Sequence, residues 1–172
     1  MLYNFQLLRF AGEDGVAVYG VLMYVSFIFI AIFIGYTVAS TPVVGFHHGA
    51  ANHAELKSLL KRSTVLMLLG GVGMMVLSWA LARPLAQVFV GYDPELRDMT
   101  VHAFQVFSYS FLLAGFNIFV SSFFTALNNG AVSAIISFLR SLVFQVVCVL
   151  ALPALLGLDG IWWSVTMADV FA

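Results

Sequence analysis

Charge is what this sequence is short of. Seven Lys and Arg with eight Asp and Glu make up only 9% of its 172 residues, against about 25% in a typical soluble domain. So few charges cannot clothe a soluble fold of this size. With 62% hydrophobic residues and a mean hydropathy of +1.03, most of the surface must face lipid. The formal net charge of −1 excludes the basic footprint of a nucleic-acid binder. Cysteine is almost absent: the single Cys148 can form no internal disulfide, and in its apolar run it reads as a small buried hydrophobe. The opening "MLYNFQLLRFAGEDG" does not read as a cleavable leader, because Arg9 interrupts any apolar core and no small-residue cleavage site follows a long apolar run.

Long uncharged runs stand in place of charge. A bilayer core of about 30 Å takes roughly 20 apolar residues in a helix. No Asp, Glu, Lys or Arg lies between Asp14 and Glu55, and residues 16–44 read as a first span with Pro42 near its end. Residues 63–90 read as a second, uncharged from Ser63 to Ala82 and followed by Arg83-Pro84. The uncharged run from Met99 to Leu139 is too long for one crossing. Its "NNG" at Asn128–Gly130 is a turn signal, which separates spans at 100–127 and 131–156. In the last of these the membrane part is expected to begin near Phe138, with Arg140 snorkelling to the interface. Residues 160–172, "GIWWSVTMADVFA", start another span but are too few to cross, and "MLYNFQLL" resembles the last turns of a preceding helix. The expected fold is all-α: a polytopic transmembrane bundle of four complete helices with a partial helix at each end. The chain is expected to be part of a larger membrane protein.

Basic residues near span ends set orientation. Lys57, Lys61, Arg62 and Arg140 lie toward one side, and Arg9, Arg83 and Arg97 toward the other, where the loop "GYDPELRD" is net acidic. This places loop 46–62 in the cytoplasm. That loop contains "GFHHGAANHAELKSLLKRS", whose three histidines invite a metal reading. A helical pair of ligands needs i, i+4 spacing, which His47, His48 and His53 do not have. A capping role fits better: Asn52 with Glu55 three residues on forms the asparagine version of a capping box. Likewise "GGVG" at 70–73 has no strand before it and sits in an apolar span, so it reads as a close-packing site rather than a phosphate loop.

On a helical wheel of the third span, Ser110, Asn117, Ser121, Thr125 and Asn128 share one arc with Ala103 and Ala114. His102, Gln105 and Tyr109 form a second polar cluster near the outer end. In the fourth span Ser133, Ser137, Ser141, Gln145 and Cys148 share a side. Polar groups at membrane depth face a bundle interior or a watery cavity. Hydroxyls at such positions are more often glue between helices. The amides of Asn117 and Gln145 need partners, which either a cavity or a helix contact supplies. No acid or base is expected near the middle of a complete span, so an ionisable coupling group must be Asp169 or lie elsewhere in the whole protein. Asn117, Ser121, Gln145, Tyr109 and Asp169 are the candidate substrate-pathway residues. No metal site is expected, and Trp162 and Trp163 read as an interfacial belt.

The order of motifs carries a resemblance. "VASTPVVGFHHGAANHAELKSLLKRS" is followed by "SFFTALNNGAVSAIISFLRSLVFQVVCVLALPALLGLDGIWWSVTMAD". Together these resemble the second half of the multidrug and toxic compound extrusion (MATE) transporters, over nearly the whole chain. The resemblance implies one of two six-helix lobes related by a parallel repeat, running from the end of helix seven to the start of helix twelve. It implies export of small cationic or amphipathic compounds across the cell membrane in exchange for Na⁺ or H⁺, with a partner N-terminal lobe and no bound cofactor. Family members that carry a coupling carboxylate in helix ten would place it in the third span, where this sequence has Asn117 and no acid. A coupling acid in the other lobe then becomes the better expectation. A lipid-linked sugar flippase of the same superfamily would show more basic residues facing the cavity. A non-transporting membrane scaffold is the remaining alternative. An enzyme would need a paired acid, a His–carboxylate set or a Ser–His pair at depth, and none is visible.

Overall fold

A computed structural model describes residues 2–172. Five helices follow one another: α1 (Leu2–Gly49), α2 (His53–Val90), α3 (Pro94–Ala126), α4 (Gly130–Leu156) and α5 (Leu158–Phe171). The first four are long and apolar enough to cross a membrane, and no strand occurs among the described residues.

Local chemistry sets the corners. Asn52 accepts from the Glu55 backbone N–H at 3.1 Å, which starts α2. Asp93 accepts from Glu95 and Leu96 N–H at 2.9 and 3.2 Å, and Pro94 at the first helical position gives up a donor that would be unused there anyway. Asn128 takes a positive φ of 58°, and Asn129 then caps α4 by accepting from Val132 N–H. Within α1, Gly12 has φ 62° and ψ −149°, a conformation closed to residues with a Cβ. It separates a leading segment from the long helix that follows.

Two apolar cores hold the helices together. One gathers Leu22 of α1, Phe104 and Phe111 of α3 and Trp162 of α5. The other gathers Phe33 of α1, Met67 of α2 and Phe119 of α3. Between them Gly71 brings α2 against the α3 backbone: a Cβ there would lie 2.6 Å from the Phe111 carbonyl oxygen. The outward faces remain apolar, with Ile28, Leu69, Val88 and Leu155 all exposed, as an acyl-chain solvent permits and water does not.

Two helices change pitch part-way. α3 tightens to a 3₁₀ turn at Ser108–Ser110, and the Gln105 carbonyl beside it accepts from Trp79 Nε1 at 3.1 Å and Ser108 Oγ at 2.8 Å. α4 widens to a π-turn over Leu139–Phe144.

Candidate functional site

The π-turn carries the site. Arg140 lies ten residues into α4, about 15 Å from its start, half the thickness of a bilayer core of about 30 Å. Asp169 lies eleven residues beyond the start of α5, about 16 Å along. At this common depth Arg140 Nε donates to Asp169 Oδ1 at 2.6 Å. The expected snorkelling of Arg140 is therefore corrected: a counter-ion at mid-depth holds the guanidinium more strongly than distant headgroups can draw it. Asp169 is the one charged side chain among the buried described residues. Its backbone carbonyl accepts from Asn117 Nδ2 at 3.0 Å, which ties α3 to α5 behind the pair.

A cavity of about 290 Å³ opens beside the pair. Tyr19 and Ser26 of α1, Phe107 of α3, and Ser141 and Gln145 of α4 are among its walls. The π-turn explains why Arg140 joins Gln145 there. Five residues of a regular α-helix turn through about 500°, leaving side chains about 140° apart, and an i→i+5 turn narrows that gap.

The candidate residues fall into three places. Asp169 and Gln145 line the mid-depth cavity, Asn117 stands behind it on the Asp169 backbone carbonyl, and Gln145 Nε2 reaches Tyr3 Oη at 3.5 Å. Ser121 is in the α3–α4 seam, its hydroxyl 3.0 Å from Ser133 Oγ and 2.7 Å from Ser137 Oγ, with Thr125 donating to Ser133. Tyr109 lies nearer the other end, stacked on Trp163 at 5.2 Å and edge-on to Trp79. Trp162 is buried in the bundle, and Trp163 is half-buried against Tyr109. Arg140 was read at the interface and not as a site residue, and Tyr3 and Tyr19 escaped the sequence reading. Tyr3 stacks flat on Tyr19 at 5.2 Å and accepts from Ser164 Oγ at 2.9 Å, a contact across 161 residues that no local pattern announces.

A larger cleft, about 740 Å³, lies where α2 ends and α3 begins, lined by Arg83, Arg97, Asp98 and His102. Its charges are largely satisfied locally, with Arg97 on Asp98 at 3.2 Å and His102 on the α5 residue Asp159 at 2.8 Å. It sits at helix ends, outside the apolar layer, and the mid-depth cavity is the better candidate site.

The sequence profile of the MatE family matches residues 1–150. The chain belongs to the MatE family. As a MatE protein with four helices of membrane length it is a multi-pass membrane protein. Its fold is similar to that of an outward-facing multidrug resistance MATE family transporter of the MOP superfamily, with 21% identity and a TM-score of 0.91 over 99% of this chain and 38% of that one. An inward-facing structure of a multidrug resistance MATE family transporter matches with 22% identity and a TM-score of 0.89, covering 99% and 40%. A MATE crystallised in complex with MaL6 matches with 22% identity and a TM-score of 0.90, covering 99% and 39%. The MatE chain thus spans about two fifths of the length of these structures. No curated protein sequence matches it.

Proposed function

We propose that this chain is one lobe of a secondary active exporter, which moves drugs or organic cations across the cell membrane in exchange for Na⁺ or H⁺ together with a second lobe. The observation that carries this reading is a cavity at mid-depth in a MatE lobe, walled by side chains of four helices and largely apolar, that nevertheless holds the Arg140–Asp169 pair with Ser26, Ser141 and Gln145. A bundle meant only to pack would fill that depth with apolar contacts, because polar groups there are costly.

Within this reading Asn117, Gln145 and Asp169 contribute to the substrate pathway at mid-depth. Tyr109 offers an aromatic face near the outer end, where a cationic group gains from the ring quadrupole. Ser121 holds α3 against α4 and stands outside the mid-depth cavity. Asp169 already has a resident cation in Arg140, so a coupling acid in the other lobe remains the better assignment. The flippase alternative gains one cavity-facing base in Arg140, but Asp169 offsets its charge.

The test is efflux of a cationic dye from a drug-sensitive host expressing the whole transporter, with and without Na⁺ and with the proton gradient collapsed. Export that stops when one gradient is removed supports antiport and names the ion. A well-expressed protein that exports no substrate under any gradient sinks the proposal.

A further inference from the structure

Arg140 uses only part of its donor set. Nε donates to Asp169, while neither Nη nitrogen has a hydrogen-bond partner among the described residues. The arginine side chain is 22% exposed and the aspartate 6%. The guanidinium therefore fronts the cavity and the carboxylate lies behind it. An arginine fork with free ends matches a carboxylate or phosphate through two parallel N–H···O bonds.

The other walls agree in sign. The hydroxyls of Ser26 and Ser141, the Tyr19 phenol and the Gln145 amide line the same cavity, and each can donate a hydrogen bond. Asp169 is the only acid in the lining, and one of its oxygens is taken by Arg140. Met23 and Phe27 add apolar surface on the α1 side. Asp169 and the π-turn together orient the arginine: one holds Nε, and the other brings the residue round to the cavity face.

We propose that the cavity beside Arg140 is a subsite for the oxyanion of an amphipathic molecule, a carboxylate or a phosphate, held by the two free Nη groups with its apolar body against Met23 and Phe27. This rests on the exporter reading and goes beyond it, adding an oxyanion to the groups that a substrate can carry, and binding at the subsite can be measured without transport.

The experiment uses the whole transporter, purified in a neutral detergent, and two probes on one scaffold: a rhodamine bearing a free carboxylate, and its methyl ester. Fluorescence anisotropy gives both affinities. The free acid is expected to bind about tenfold more tightly than the ester, the scale of one charge-assisted bidentate contact. Because Arg140→Gln alone strands a buried carboxylate, the deciding variant is Arg140→Gln with Asp169→Asn, whose folding is checked by gel filtration. It is expected to bind the acid no better than the ester. Equal binding of acid and ester by the parent protein overturns the proposal, as does unchanged acid preference in the double variant. Phosphatidic acid added to the micelles identifies the natural source: competition with the free acid in the parent assigns the subsite to a lipid phosphate, and lack of competition assigns it to a carboxylate. If the parent binds the acid selectively yet exports no dye, the exporter reading falls and the subsite stands.

Discussion

Arg140 of α4 and Asp169 of α5 form an ion pair at 2.6 Å, and the aspartate is buried. Two charges held together at mid-depth are tolerable, and one alone is not. Removing a single partner of a buried pair leaves the other uncompensated and costs about 3 kcal/mol or more, whereas removing both costs far less. Arg140→Gln and Asp169→Asn are each expected to lower the thermal unfolding midpoint of the purified transporter, with the double variant above both singles. A double variant at the sum of the two losses would show that the pair carries no mutual energy.

Asn117 tests whether the cavity backing matters for transport. Its amide donates to the Asp169 backbone carbonyl at 3.0 Å, so Asn117→Ala removes a hydrogen bond between α3 and α5 worth about 0.5–1.5 kcal/mol. Efflux at equal expression is expected to fall, because α5 loses its tie to α3 just where the ion pair sits. Full efflux in this variant would assign Asn117 to packing alone.

Ser121 is the contrasting case. Its hydroxyl meets Ser133 and Ser137 across the α3–α4 seam, and such interhelical bonds in membranes average about 0.6 kcal/mol. Ser121→Ala is expected to lower the unfolding midpoint slightly and leave dye efflux unchanged. Lost efflux with intact stability would move Ser121 into the pathway.

These sites also show how far the residues could be read without coordinates. Helix class and membrane character were legible because uncharged runs of membrane length admit little else. The cap at Asn52 and the turn at Asn128–Gly130 were legible because their signals are local, within a few residues of the backbone they shape. Arg140 was not. Taking Phe138 as the start of the membrane part put the arginine at the interface, although it lies about 15 Å into the helix that begins at Gly130. The π-turn that brings it to the Gln145 face leaves no signature in residue types. Asp169 could be suspected from its chemistry alone, but its depth and its partner depend on how α5 packs back on α4. Tyr3 met Ser164 through tertiary packing only.

The close approach of α2 and α3 gives a prediction in which the sign itself is the test. Gly71 and Gly73 are two residues apart in one helix, so both should gain up to about 1 kcal/mol of helix propensity on replacement by alanine. At Gly73 a Cβ meets nothing within 4 Å, and the gain stands. At Gly71 the Cβ would lie 2.6 Å from the Phe111 carbonyl oxygen and 2.8 Å from that of Leu112. Backbone atoms cannot swing aside as a side-chain tip can, so the helices must separate. Overpacking of that kind costs about 1–3 kcal/mol, which outweighs the propensity term. Gly73→Ala is expected to hold or raise the unfolding midpoint of the purified transporter, and Gly71→Ala to lower it. If the two variants move the midpoint in the same direction by the same amount, α2 and α3 are not in the tight contact described for them.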